Sequence, residues 1–421
     1  MNLIVAFMLL AIVGCKKPYI LTSYPVDLFK ECADTLTNLR PFWKIPIRND
    51  TSRGIASVIV NTKNGILVYQ GEGNGSATLL NKLNGSIYWQ KNSFARNEFP
   101  GLVYNVYENK NSIVTSNSYF TYSYSNSTGE IQWSTRDFAK LRLEFRSSLI
   151  GNFLYTGLTN GDQFFDSSYF LSRLDLSNPT RYDTLFELKR ENHFGYMGGI
   201  EPPALYINKN TDSILLFKFR TVLTNSQVNT ARLFFYAFNL NQRKVQWRID
   251  SLDYEGSIDP PIVEGNKCYV QGLGTIYCLN AEDGSLIWKA WCGGRLPAGS
   301  NMISYKDRLA VITLDGRFIC VDKETGNYIF NRKDAEGGMQ NFDMTSPSQA
   351  VELNGVMYVY GSGYFYGIDL TNGTIVMKYK SPYRCKRSAA VFAYGGIAKD
   401  DALGLIYIED QYFVMAVKAY R

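Results

Sequence analysis

The feature that most constrains this chain is an internal repeat. The segment Cys278-Leu279-Asn280-Ala281-Glu282-Asp283-Gly284-Ser285-Leu286-Ile287-Trp288 recurs in outline along the sequence. Residues 79–89 carry Asn81, Gly85 and Trp89 at the same offsets, and residues 123–133 carry Gly129 and Trp133. Residues 237–247 keep Asn239 and Trp247 but place Arg243 at the glycine site. Residues 320–330 have Asp322, Gly326 and Phe330, and residues 367–377 have Asp369, Gly373 and Met377. The pattern is a small residue, Asp or Asn two later, Gly four after that, and a large apolar residue, usually Trp, four further on. A recurrence of this kind means small units that bury their apolar faces only against their neighbours.

The local chemistry of the motif is strand, tight turn, strand. Asp or Asn ends the first strand and bonds backbone amides in the turn, and Gly supplies the positive φ that the turn requires. The alternating run that follows sends one aromatic side chain into a neighbouring layer. Upstream of each motif lies a second pair of strand-like runs, such as residues 261–264 and 268–270, joined by turn residues. Four strands per unit is the blade of a β-propeller.

The outer-strand positions fall at Trp89, Trp133, a degenerate site near Leu185-Phe186, then Trp247, Trp288, Phe330 and Met377. A further unit follows, with strand-like runs at 389–392, 405–408 and 412–416, but Arg421 arrives before a glycine turn or Trp. The run Pro41-Phe42-Trp43-Lys44-Ile45 near the other end has no partner of its own and supplies the missing outer strand. The expectation is therefore an all-β protein, an eight-bladed β-propeller of four-stranded antiparallel blades over residues 39–421, sealed by its N-terminal strand. Closure hides the edges that an open sheet exposes. The length of 421 residues by itself suggests two or three domains, and the repeat replaces that count with one ring. The longest irregular insertions are expected at 162–183 and 208–230, in blades three and four.

Composition removes whole classes of function. The single histidine, His193, excludes HExxH sites and histidine-metal clusters, and no CxxCH haem motif is present. The 44 Lys and Arg against 38 Asp and Glu form no run of like charge, so the basic stripe of a nucleic-acid binder is missing.

Residues 1–14, MNLIVAFMLLAIVG, form an uncharged apolar run with the length of a signal-peptide hydrophobic region. Ile12-Val13-Gly14-Cys15 resembles a bacterial lipobox, which implies that Cys15 is acylated and becomes the first residue of the mature protein. Residues 15–38 then serve as a lipidated tether, and multiple acyl chains anchor stably where one is marginal. Six further cysteines remain: Cys32, Cys268, Cys278, Cys292, Cys320 and Cys385. Cys268 and Cys278 flank Gly272-Leu273-Gly274, where they either face each other across a hairpin or stay as buried thiols. Cys278 and Cys320 occupy the small-residue position of the repeat, which favours the buried thiol.

The absence of recurring Gly-His and Trp-Asp pairs argues against WD40 repeats. The Gly doublets at 198–199, 293–294 and 337–338 precede the first strand of a blade, which argues against kelch repeats. The spacing of small residue, Asp or Asn, Gly and Trp, with Trp43, Trp89, Trp133, Trp247, Trp288 and Phe330 as the structural repeat, resembles the tryptophan-docking repeat of pyrroloquinoline-quinone (PQQ) type propellers. In the quinoprotein dehydrogenase branch, PQQ and Ca²⁺ sit beside a catalytic aspartate and a vicinal disulfide, and this chain has no adjacent cysteines. The lipobox, length and closure look like the other branch, the BamB-like lipoproteins of outer-membrane assembly. That resemblance implies a non-enzymatic scaffold without a cofactor, anchored by lipid in the bacterial envelope, at the outer membrane, and binding envelope or outer-membrane proteins.

Loops from one blade's outer strand to the next blade's inner strand frame one end of the channel. They include 190–203, 250–261, 293–300, 334–347 and 381–388. Glu201, Asp259 and Asp343 stand near prolines there, with Arg295, Arg384 and Arg387 contributing positive charge and His193 and Tyr196 aromatic surface. These eight residues form a candidate mixed-charge rim for a peptide, sugar or partner loop; alternatively the acids cap turns and the bases solvate a face. The three carboxylates suit Ca²⁺, but no consecutive ligand loop accompanies them, and no metal site is assigned.

Overall fold

The computed structural model describes residues 39–46, 57–70, 76–92, 105–116, 120–135, 142–159, 168–188, 198–224, 229–254, 256–257, 259–294, 301–313, 317–333, 349–361, 364–380, 396–410 and 413–421. Their strands assemble into eight antiparallel sheets arranged as an eight-bladed propeller. Seven blades follow in chain order, over 57–92, 105–134, 142–188, 198–253, 262–291, 303–333 and 351–380. The eighth runs from inner to outer through Ala398–Asp400, Leu405–Glu409, Phe413–Lys418 and then Trp43–Pro46. The N-terminal strand seals the ring as expected, in antiparallel register from Trp43 opposite Ala416 to Pro46 opposite Phe413.

Because strands alternate in direction, the turn between the two inner strands and the turn between the two outer strands of each blade open at one end of the ring. The repeat motif is the outer of these turns. In blade five Glu282 N donates to Asn280 Oδ1 at 3.0 Å and Gly284 N to Asn280 O at 2.8 Å, with Gly284 at φ 76°. In blade six Asp322 Oδ1 accepts from the amides of Glu324 and Thr325.

The tryptophan of one blade lies on the glycine of the next. A Cβ added to Gly326 would stand 2.6 Å from Trp288, and one on Gly284 would stand 2.7 Å from Trp247. The same contact joins Trp43 to Gly85, Trp89 to Gly129 and Phe330 to Gly373. The indole N–H then reaches a carbonyl of that turn: Trp43 to Lys82 O at 2.9 Å, Trp89 to Asn126 O at 3.1 Å and Trp288 to Lys323 O at 3.0 Å. The small residue of the motif sits directly across the sheet from the docking residue, Cys278 opposite Trp288, Cys320 opposite Phe330 and Gly367 opposite Met377, with a register shift beside each pair. A short side chain there leaves room for the ring.

Eight apolar clusters fill the eight joints between blades. The joint of blades two and three differs in chemistry. Its apolar centre is Val114, Leu154, Leu174 and Leu176, and around it Thr121, Ser123, Ser147, Thr156 and Ser172 are buried.

Three expectations are corrected. Residues 208–230 are not an irregular insertion: Ser213–Thr224 and Asn229–Asn239 are strands paired from Ile214 opposite Asn239 to Thr224 opposite Asn229. Likewise Tyr169–Asp175 is the third strand of blade three, within 162–183. Long strands of the run Ser-Ile-Leu-Leu-Phe-Lys-Phe-Arg type lack the turn punctuation that marks the other blades, so their sequence resembles an insertion. The inner strand of blade eight is Ala398–Asp400, whereas the run at 389–392 lies outside the described residues. The doublet Gly198-Gly199 opens an inner strand, Gly198–Ile200, instead of preceding it.

Candidate functional site: the inner rim of blades four to seven

The inner strand of blade four is broken in the middle. Gly198–Ile200 and Ala204–Ile207 both pair with the strand Ser213–Thr224, and Glu201-Pro202-Pro203 lies between them. Proline has no N–H to give the ladder, so the chain leaves the sheet after Glu201 N donates to Lys218 O at 2.9 Å. Blade five repeats the device with Gly256-Ser257-Ile258-Asp259-Pro260-Pro261. There Gly256 bridges Gly272, Ser257 N donates to Gln271 O, and regular pairing resumes at Ile262–Glu264. Each break turns a carboxylate toward the inner rim: Glu201 and Asp259 are both buried.

Charge buried at such a place must be matched locally. Lys218, in the middle of the apolar run 214–219, is 1% exposed and its Nζ donates to Ser257 O. Arg220 Nε stands 3.8 Å from Glu201 Oε1. Ser257 Oγ donates to Asp259 Oδ2 at 2.8 Å and accepts from Asp259 N at 3.0 Å. Gln349 Nε2 donates to Asp259 Oδ1 at 3.2 Å, which ties blade five to the residues entering blade seven. Asn301, entering blade six, donates to Ala350 O at 3.1 Å and accepts from Ala350 N at 2.7 Å. Two cations and two carboxylates thus lie along one rim, with Lys218 and Asp259 hydrogen-bonded and Arg220 near Glu201. The ties between blades suit a rigid, shaped edge.

Of the eight rim residues expected from sequence, Glu201 and Asp259 are brought to this rim. His193, Tyr196, Arg295, Asp343, Arg384 and Arg387 lie outside the described residues, as do Cys15, Cys32 and Cys385. Sequence reading missed Lys218, Arg220, Ser257 and Gln349. The available signals were a lysine inside an otherwise apolar strand run and the repeated Gly-x-Ile-acid-Pro-Pro.

The four described cysteines are buried thiols. Cys268 packs in the joint of blades four and five, whereas Cys278 packs in the joint of blades five and six. They project from opposite faces of one sheet, because Cys268 stands opposite Leu279 and Cys278 opposite Tyr269, so the hairpin disulfide does not form. Burial pushes the Cys278 thiol up to about 11 and the Cys292 and Cys320 thiols up to about 12, which keeps them unreactive. Among the described residues no three His, Cys, Asp or Glu side chains are grouped to hold a metal ion.

Residues 234–394 match the family model described as "Outer membrane protein assembly factor BamB". No curated protein matches the sequence. Among solved structures, BamB from Moraxella catarrhalis superposes with a TM-score of 0.57 at 12% identity, covering 91% of this chain and 98% of that one. A europium-containing methanol dehydrogenase gives a TM-score of 0.58 at 12% identity over 89% of this chain and 85% of that one. The computationally designed Ika8 protein gives 0.57 at 11% identity over 90% and 99%. Likeness at such identity speaks for the shared fold alone. The chain is an eight-bladed propeller, and its residues 234–394 match the model of the BamB assembly-factor family.

Proposed function

We propose that this protein is a lipid-anchored, non-catalytic scaffold of the bacterial cell envelope that binds envelope proteins in outer-membrane protein assembly. In this reading residues 1–14 are a cleaved signal, Cys15 carries the acyl chains and residues 15–38 tether the ring to the outer membrane. The observation that carries it is the assembly-factor match over residues 234–394. That segment holds the regular blades, whose docked joints make a rigid platform.

The methanol dehydrogenase likeness raises a quinone cofactor. The described residues do not fit the vicinal cysteine pair of that branch: no two cysteines are adjacent in the sequence, and the four described thiols are buried in separate strands. No chemical step is derived through such a group.

Purification of the tagged protein from detergent-solubilised envelopes tests the scaffold reading. Co-purification of a barrel-assembly protein supports it, and isolation of the lipoprotein alone counts against it. A second reading, capture of a carbohydrate or peptide at the channel end, rests on the buried rim of Glu201, Lys218, Arg220 and Asp259. It predicts that Asp259→Ala shifts the binding curve for such a ligand while leaving envelope-protein recovery intact.

A further inference from the structure

The outer turns of blades one, two, four, five, six and seven share the repeat spacing, so the residue at their second loop position can be compared from blade to blade. That position is Ser127 in blade two, Asn241 in blade four, Glu282 in blade five, Glu324 in blade six and Thr371 in blade seven. In blade one it is Leu83, which is 56% exposed. The turns between inner strands show the same exception. Lys63-Asn64, Lys110-Asn111, Gly265-Asn266 and Lys306-Asp307 are polar, but blade eight presents Leu403, 41% exposed.

These two leucines belong to one patch. Asp400 joins them, accepting from Lys82 Nζ through Oδ2 at 3.0 Å and from Leu403 N through Oδ1 at 3.0 Å. Tyr420 adjoins Leu403, because Ala419 N donates to Gly404 O at 2.9 Å. Phe42 directly precedes Trp43, whose Nε1 donates to Lys82 O beside Leu83. Phe42 is 53% exposed and Tyr420 51%. Around them Lys63, Lys418 and Arg421 are exposed, and the nearby acids are engaged: Asp400 by Lys82, Asp369 by Arg421 and Asp401 by Lys399. Across the ring the turns of the same face carry Glu282, Asp283 and Glu324, with exposed Leu286, Ile287 and Tyr328 on the strands that leave them.

The described residues begin at Leu39, buried in the joint of blades seven and eight with Leu353, Tyr358 and Met415, and Phe42 directly precedes the strand that seals the ring. The 24 residues from Cys15 to Asn38 set the reach of the anchor: a chain of that length without regular structure has a mean span on the order of 25–30 Å. A tether of that length holds its ring near the bilayer at an effective concentration of about millimolar, so weak contacts suffice. Lys16 and Lys17 directly follow the acylated residue and add positive charge at the lipid surface.

We propose that the ring rests on its own membrane through Phe42, Leu83, Leu403 and Tyr420, with Lys63 and Lys418 set against anionic headgroups. The turn face at blades eight and one is then the membrane-proximal edge, and the acidic turns of blades five and six tilt away. This rests on the lipid-anchor reading for the occupant, and the test separates the two.

The full mature chain with Cys15→Ala carries a hexahistidine tag ahead of residue 15. It is held on vesicles of phosphatidylethanolamine and phosphatidylglycerol by a nickel-chelating lipid, so the anchor does not depend on natural acylation. In a Cys32→Ser, Cys385→Ser background, an environment-sensitive dye is placed by Leu83→Cys or Leu403→Cys. The control is Tyr254→Cys, an exposed residue at the end of the outer strand of blade four, at the opposite end of the ring. Doxyl-lipid quenching several-fold stronger at 83 and 403 than at 254 supports the proposal, and so does its loss when Phe42→Ser and Tyr420→Ser are added. Equal or absent quenching at all three sites overturns it. An envelope-purified protein whose Cys15 peptide lacks acyl mass would overturn the anchor reading alone.

Discussion

The joint between blades five and six and the joint between blades two and three are built from the same four-stranded sheets yet are held in different ways. In the first, Trp288 is buried on Gly326, bonds Lys323 O, and lies beside an apolar cluster that includes Tyr269, Ile276, Leu309 and Val311. Lys323 is locked there by Glu264 at 2.6 Å and by Lys306 O at 2.7 Å. In the second, Trp133 meets a turn without glycine, Asp175-Leu176-Ser177-Asn178-Pro179, and is only partly buried. Hydroxyls replace aliphatic side chains: Tyr182 Oη and Thr121 Oγ1 lie 3.0 Å apart, and Ser116 and Thr121 share a bond at 3.1 Å. The comparison teaches that ring closure requires complementary joints but not the same joint eight times.

The largest test of this contrast is removal of the docking ring. Trp288→Ala should cost about 3–5 kcal/mol, the usual range for a buried aromatic. Trp133→Ala should cost less than half of that, because the side chain is only partly buried and presses on no glycine. Urea unfolding of the two variants measures both, and equal losses would break the comparison.

Next in size are the turn substitutions. Gly326→Ala forces a Cβ toward Trp288 at a φ of 72°, and should cost about 2–4 kcal/mol from overpacking and left-handed strain together. Blade four offers the reverse case. Arg243 holds the glycine position at φ 50°, and its guanidinium bonds Thr184 O at 2.8 Å and Asp183 Oδ1 at 3.3 Å. A polar tie thus stands where five other joints dock an aromatic on a glycine. Arg243→Gly loses an exposed tie and relieves strain, so stability should stay within about 1 kcal/mol of the parent.

The ring, its eight blades and its sealing strand were legible in the sequence because turn chemistry is local. Asp or Asn, Gly and Trp at fixed offsets state both the turn and what the next blade must bring to it. Blade three was legible only as a degenerate site near Leu185-Phe186. Its outer strand does pack Leu185 and Phe186 against Phe217 and Phe238 of blade four, but through aromatic contacts that no spacing encodes. The inner rim was half legible. Acid next to proline announced Glu201 and Asp259, whereas Lys218 and Gln349 reach them from other strands and blades, and that proximity exists only once the ring has closed.

One device survives in both kinds of blade, and pH reads it. Donation from Thr325 N and Thr325 Oγ1 holds the Asp322 carboxyl below its ordinary range, with burial opposing. Donation from Ser177 Oγ and Ser177 N does the same for Asp175 in blade three. A depressed carboxyl contributes stability that is present above its unfolded value and is lost as pH falls through its folded value, so the loss begins below about pH 4. Asp322→Asn and Asp175→Asn should each flatten the acid limb of the unfolding midpoint against pH, by similar amounts. A flattening confined to Asp322→Asn would show that blade three has lost turn chemistry as well as docking.

The smallest expected effect probes the hydroxyl row itself. Ser147, Thr156 and Ser172 stand opposite one another across three strands of blade three. Ser172 Oγ is buried without a hydrogen-bond partner among the described residues. Removing an unsatisfied buried hydroxyl relieves its desolvation penalty and leaves only a small void, so Ser172→Ala should stabilise the protein by up to about 1 kcal/mol. The same replacement at Thr121, whose oxygen is shared by Ser116 and Tyr182, should instead destabilise by about 1–2 kcal/mol. Opposite signs at two hydroxyls of one joint would show that the joint is held by particular bonds and not by polarity as such. Equal signs would mean that ordered water completes the row and that Ser172 is bonded like the rest.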